Sequence, residues 1–375
     1  MTVQDAPDCR GFGCTATYIT SMLLCILMVR YMPIIIQMDP VVAGGCASFS
    51  YVSAMSHDAE LSPGPDVFRA VTRSFLIATS DEMIEPLEKL ILSDPLCRSL
   101  VDNVSSGLHG VISAASLPFS LTSESINKRR FNQFYTAARI RGLTFEDNGN
   151  LSKEQDILAF ERARIEMENF RNSKDGSNFI ANTIVLELSR ALSSRDIGAA
   201  AAELMNQALS STWSIFENFA SSFIVEWINS DPRRASKVLN CPGLKSYFGK
   251  FSIDLDTINE NLFDLTKSMG SVLFKGKRLD NINVIRSAIS ALLSNLNVSK
   301  IIGNDLWLLN QRRHLLVHKR GLIDREYLSR TGDKMNIGDS IIVTSDDIIK
   351  YILAVRQAVI AIVEAAEKEK EISEE

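Results

Sequence analysis

The sequence predicts an almost wholly α-helical protein, and three observations carry that prediction. From Val67 onward apolar residues recur at steps of three and four. Capping residues and prolines punctuate the pattern, as at Thr79-Ser80-Asp81, Asp94-Pro95 and Asp231-Pro232. The longest periodic stretch, residues 196–228, carries Leu204, Ala208, Trp213, Phe216, Phe219, Phe223 and Trp227 at helical spacing, an aromatic stripe of the kind a core demands. No internal repeat and no Gly-rich phosphate loop interrupts this reading.

Residues 1–60 stand apart from the rest. Residues 15–29 are nearly unbroken apolar sequence, ended by Arg30 and followed by Pro33. That run is shorter than the roughly 18–20 residues a membrane-spanning helix needs. Asp5 and Asp8 outweigh Arg10, which is the wrong balance for a signal peptide. Three readings compete: a membrane anchor through residues 15–36, an apolar arm that is disordered or held by a partner, and a start assigned too early, with Met38 and Met55 as alternatives. Four of the six cysteines lie in the first 46 residues, and no C-x-x-C pair exists, so neither a disulfide framework nor a zinc site is indicated. The remainder reads as a protein of a reducing compartment, cytoplasmic, with membrane association only through residues 15–36.

Helices are expected at 67–78 and 82–92, separated by Thr79-Ser80-Asp81, and at 96–115, weakened by Gly107 and Gly110. A further helix covers 123–141, where Lys128-Arg129-Arg130 forms a solvated face. The acidic loop at 146–150 invites a calcium-loop reading, but the positions that should supply carboxylates are Thr144 and Gln155. Ser152 and Gln155 instead form a capping box that opens a helix over 152–171. Lys174-Asp175-Gly176-Ser177-Asn178 reads as the best interior boundary. Residues 61–178 are therefore a helical region of unassigned role, residues 195–368 a second helical domain, and 369–375 an acidic tail. Later helices are expected at 179–193, 254–269, 280–296, 303–319 and 346–368.

A net charge of -5 argues against a chain coated in basic surface for nucleic acid. One segment breaks that rule. Arg312, Arg313, Lys319, Arg320, Arg325 and Arg330 crowd residues 301–330 against only Asp305, Asp324 and Glu326. Two of the chain's four histidines, His314 and His318, lie in the same stretch. A phosphodiester calls for such a local field. On a helix, Ile302, Leu306, Leu309, Leu316 and Val317 would share a face with Arg313 in its middle. A buried arginine needs a reason, such as a partner carboxylate (Glu217 is a candidate) or a place in a cleft. Gly321 reads as the helix stop, which puts His318 in the last turn. Zinc at His314 and His318 would lack further ligands nearby.

The run Arg313-His314-Leu315-Leu316-Val317-His318, with its flanks through Gly321, Ile323, Asp324, Tyr327 and Leu328, resembles the R-x(4–6)-H motif of the HEPN superfamily, in the form found in RiboL-PSP-HEPN-like and abortive-infection-associated proteins. The resemblance covers about residues 195–368. It implies a C-terminal helical bundle, a homodimer with two motifs across a cleft, and metal-independent RNA cleavage without a cofactor. His318 would then perform acid–base work, Arg313 would hold the phosphate and transition state, and His314 would orient, with Arg312 and Glu217 supporting. It also implies a role in phage defence or as a toxin, with an antitoxin or regulatory partner. Against this stands a non-catalytic nucleotide- or RNA-binding or dimerisation module, and a structural reading in which His318 only caps a helix dipole.

Overall fold

A computed structural model describes residues 63–77, 80–142 and 152–374. Both the apolar N-terminal segment and the loop at 146–150 lie outside the described residues. The longer helices are α1 (Pro65–Ser74), α2 (Ser80–Glu88), α3 (Pro95–Gly142), α4 (Lys153–Asn172), α5 (Lys174–Leu192), α6 (Arg195–Ser230), α7 (Ile282–Leu292), α8 (Asn304–Lys319), α9 (Arg325–Thr331) and α10 (Ser345–Glu374). Short helical turns lie within 234–273 and at 298–301. The fold is all-α, and among the described residues the only β pairing is an isolated antiparallel bridge between Leu322 and Ser340. No helix of the described residues is long and apolar enough to cross a membrane.

The described chain divides into two compact units. One comprises the residues up to Val71 with Pro118–Ala191, and the other Thr72–Leu117 with Leu192–Glu375. The division falls otherwise than the 61–178 and 195–368 boundaries expected from sequence. The first half of α3 and all of α2 share the core of the C-terminal part: Ile84, Leu87, Leu108 and Ile112 belong to one apolar cluster with Trp213, Phe216 and Ile352.

Three expectations need correction. Helices expected at 96–115 and 123–141 are one helix, α3, which runs through Pro118 although that residue has no N–H to donate. Lys174 to Asn178 is not a boundary but the first turn of α5. Ser173 ends α4 in an extended conformation, and its Oγ accepts from the Gly176 N–H. A Cβ at Gly176 would stand 1.9 Å from the Phe170 carbonyl oxygen, so the glycine marks a close corner between two helices. The helix expected at 254–269 stops after Glu260, because Leu262 and Phe263 adopt left-handed conformations with φ of 53° and 62°.

Within the C-terminal unit, α6 is the central element. Met205, Leu209, Trp213, Phe216, Ala220, Phe223, Ile224, Trp227 and Ile228 are all fully buried, a three/four repeat that wraps one wide face. Helix α10 lays Ile348, Tyr351, Ile352, Val355, Val359, Ile362 and Val363 into the same core. Helix α8 packs on both α6 and α10 through Leu306 and Leu309, and that packing sets the position of the histidine motif.

Candidate functional site

Helix α8 is anchored before it reaches the motif. Arg286, on α7, donates from Nε to the Ile302 carbonyl (2.7 Å) and from Nη2 to the Gly303 carbonyl (2.9 Å), immediately upstream of the first turn. Lys350 on α10 pairs with Asp305 at 2.8 Å. Between these and the motif, Leu306 and Leu309 are buried.

Arg312 and Arg313 are both partly buried, but the one that carboxylates compensate is Arg312. The interior face of α8 continues from Leu309 by three-residue steps to Arg312 and Leu315, whereas Val317, expected on that face, is 52% exposed. A second, smaller core made by Leu315, Ile323, Tyr327 and Ile341 decides this register, since it draws Leu315 inward. The Arg312 side chain, 13% exposed, meets Asp347 of α10 at 2.7 Å and Asp333 at 3.9 Å. The closer contact is a charge contact rather than a well-aligned hydrogen bond. Burial opposes the guanidinium charge, but Tyr351, Asp347 and Tyr327 around it hold its pKa above the ordinary value. Asp347 also caps its own helix. Its Oδ2 accepts from the Thr344 N–H and hydroxyl, and the Asp347 N–H donates to the Thr344 hydroxyl, a reciprocal cap on α10. One carboxylate thus starts the last helix and locks the motif helix to it.

Arg313 lies one step around the helix, half-buried, with no ion pair to any described residue. Glu217, expected from sequence as its partner, makes no ion pair with a described residue. His314 and His318 are both exposed, one turn apart, with ring centroids 4.6 Å apart and planes tilted by 47°. Partial desolvation, then the charges of His318, Arg330 and Arg313, hold His314 below the usual imidazole range, while Glu326 pulls the other way.

The end of α8 is shaped by backbone chemistry. Arg320 takes a left-handed conformation (φ 53°), Gly321 follows at φ 76°, and both N–H groups turn back to the Leu315 carbonyl. His318 is therefore in the last helical turn, as expected. The chain then pairs with 338–341: the Ile323 N–H donates to Asp339, Gly338 to Ile323, and Ile341 to Gly321. Residues 341–344 form no strand: the Ile341 N–H extends the pairing beside the Leu322–Ser340 bridge, and Ile341 and Val343 are buried. Asp324 caps α9 by accepting from the Tyr327 N–H at 2.8 Å. The Tyr327 phenol donates to Asp333 at 2.5 Å, and burial, then that bond, pushes its pKa up to about 12.

Helix α9 is not among the helices that periodicity predicts, and it brings two groups the motif alone does not name. Arg330 and Glu326 pair at 2.6 Å on the same short helix that packs Tyr327 against Leu315. An exposed pair at this spacing is worth only ~0.3–0.5 kcal/mol. The signal in the sequence is Asp324 three residues before Tyr327, a capping residue ahead of a short periodic run. Among the described residues no three His, Cys, Asp or Glu side chains are grouped so as to hold a metal ion. The arrangement is an exposed imidazole pair flanked by Arg313, a guanidinium with no ion pair among the described residues, and by Arg330, exposed and weakly paired. No protein-family model, curated protein or solved structure matches the chain.

Proposed function

We propose that this protein is a metal-independent endoribonuclease whose site is built on the last two turns of α8. The observation that carries the reading is Arg313, half-buried and with no carboxylate partner among the described residues, next to an exposed pair of imidazoles in ring contact. A guanidinium left uncompensated beside titratable rings suits an anionic substrate that supplies the missing charge. Arg313 then holds the scissile phosphate and the charge that grows on it in the transition state. His318 exchanges the proton with the 2′-hydroxyl or the leaving oxygen. His314, whose charged form is disfavoured first by partial desolvation and then by the neighbouring cations, orients its partner ring. The resemblance to HEPN proteins supports the same assignment. Arg312 belongs to the scaffold and touches no substrate.

Self-association is part of the proposal, though on a different footing from the one the sequence suggests. The partly buried Arg312 needs no second protomer, because Asp347 of the same chain compensates it. Exposed Val317, Leu322 and Ile342 beside the motif favour a twofold contact there. The test is end-group analysis of a single-stranded RNA incubated with the protein in excess chelator. The reading expects a 2′,3′-cyclic phosphate and resistance of the all-deoxy analogue. RNA that binds but stays intact would leave a non-catalytic binding module.

A further inference from the structure

We infer that Arg330 and Glu326 form an exchangeable anion seat for a second phosphate of the substrate, with Glu326 standing where that phosphate docks. The inference rests on the ribonuclease reading above and names a further contact residue of the same site.

Helix α9 is held rigidly enough to place its side chains. Its first turn is capped by Asp324, the Tyr327 phenol is tied to Asp333, and the Tyr327 ring packs on Leu315, the residue next to His314. Arg330 follows Tyr327 by three residues and so lies over the same side of the helix. Its charge and that of Glu326 both reach the His314 ring, with opposite effect. The two side chains are 54% and 61% exposed, so neither is committed to the core, and no other described carboxylate pairs with Arg330. A guanidinium fork that accepts a carboxylate accepts a phosphate by the same geometry and with more charge. Glu326 is thus both a placeholder and a competitor. In the free protein it shields Arg330, and an incoming phosphodiester displaces it. Arg313 takes the scissile phosphate and Arg330 a neighbouring one, so the substrate is an RNA chain rather than a mononucleotide.

The experiment measures binding of the full chain to a fluorescent 2′-O-methyl single-stranded RNA, which resists cleavage, across a salt series. Arg330→Gln is expected to weaken binding by about three- to tenfold and to flatten the slope of log affinity against log salt by about 0.7, the share of one phosphate contact. Glu326→Gln is expected to tighten binding several-fold, a gain that misfolding cannot mimic. Binding that is unchanged by Arg330→Gln, or weakened by Glu326→Gln, would overturn this inference alone. No binding by the wild type at low salt would overturn the ribonuclease reading together with it.

Discussion

At the level of single residues, adjacent arginines carry opposite expected duties, Arg312 in the scaffold and Arg313 in the proposed site. Arg312 is enclosed by Asp347, Asp333, Tyr327 and Tyr351, and removing it strands carboxylates in a partly buried setting. Arg312→Ala should therefore cost about 2–4 kcal/mol of stability, read as a drop in denaturant midpoint. Arg313→Lys should leave the melting temperature within a few degrees and lower RNA cleavage at least tenfold, because an ammonium cannot reproduce a bidentate phosphate contact. The reverse pattern, a stable Arg312 variant and an unstable Arg313 variant, would contradict the register of α8. His314 gives a third check. Its proton NMR titration should have a midpoint below the ordinary 6.5, and Arg330→Gln should raise it. The sign for stability follows: a histidine whose folded pKa is depressed contributes fully above its unfolded value, and that contribution is lost as pH falls through the folded value.

At the level of elements, the aromatic face of α6 and the long apolar face of α10 hold the unit together. Trp213→Ala or Phe223→Ala should cost about 3–5 kcal/mol. Gly270 is a sharper probe of packing: a Cβ there would stand 2.1 Å from the Val225 carbonyl oxygen, so Gly270→Ala must push a short helical turn off α6. Calorimetry should show a clear loss of melting temperature, and a neutral result would contradict the packing. These elements also show how far periodicity alone can be read. The α6 stripe and the capping box at Ser152 are legible because their signals are local and repeated. The register of α8 is not, since steps of three and four from Leu309 lead equally to Arg312 and Arg313, and only the small core around Leu315 and Tyr327 decides between them. That core draws on Ile323, Tyr327 and Ile341, which lie past the end of α8 and beyond the reach of its helical repeat. The break at Leu262 and Phe263 is hidden for a different reason: nothing in an Asn-Leu-Phe-Asp run announces positive φ in the absence of glycine. His314 and His318 are legible as a pair, but the charge setting of that pair depends on α9.

At the scale of the whole molecule, one basic helix end, exposed and flanked by apolar side chains, is proposed to meet its twofold mate and an RNA strand. Sedimentation at micromolar concentration should give a dimer, and Leu322→Arg should shift it toward monomer, since Leu322 is nearly half exposed beside the motif. The most direct measurement is the rate of single-stranded RNA cleavage in excess chelator, wild type against His318→Ala, with melting temperatures recorded for both. The exposed ring carries no core packing, so the two proteins should melt within a few degrees of each other. The variant should be slower by roughly two to four orders of magnitude, the contribution of a general acid–base group. Equal rates in the two proteins, or no cleavage by the wild type, would contradict the account.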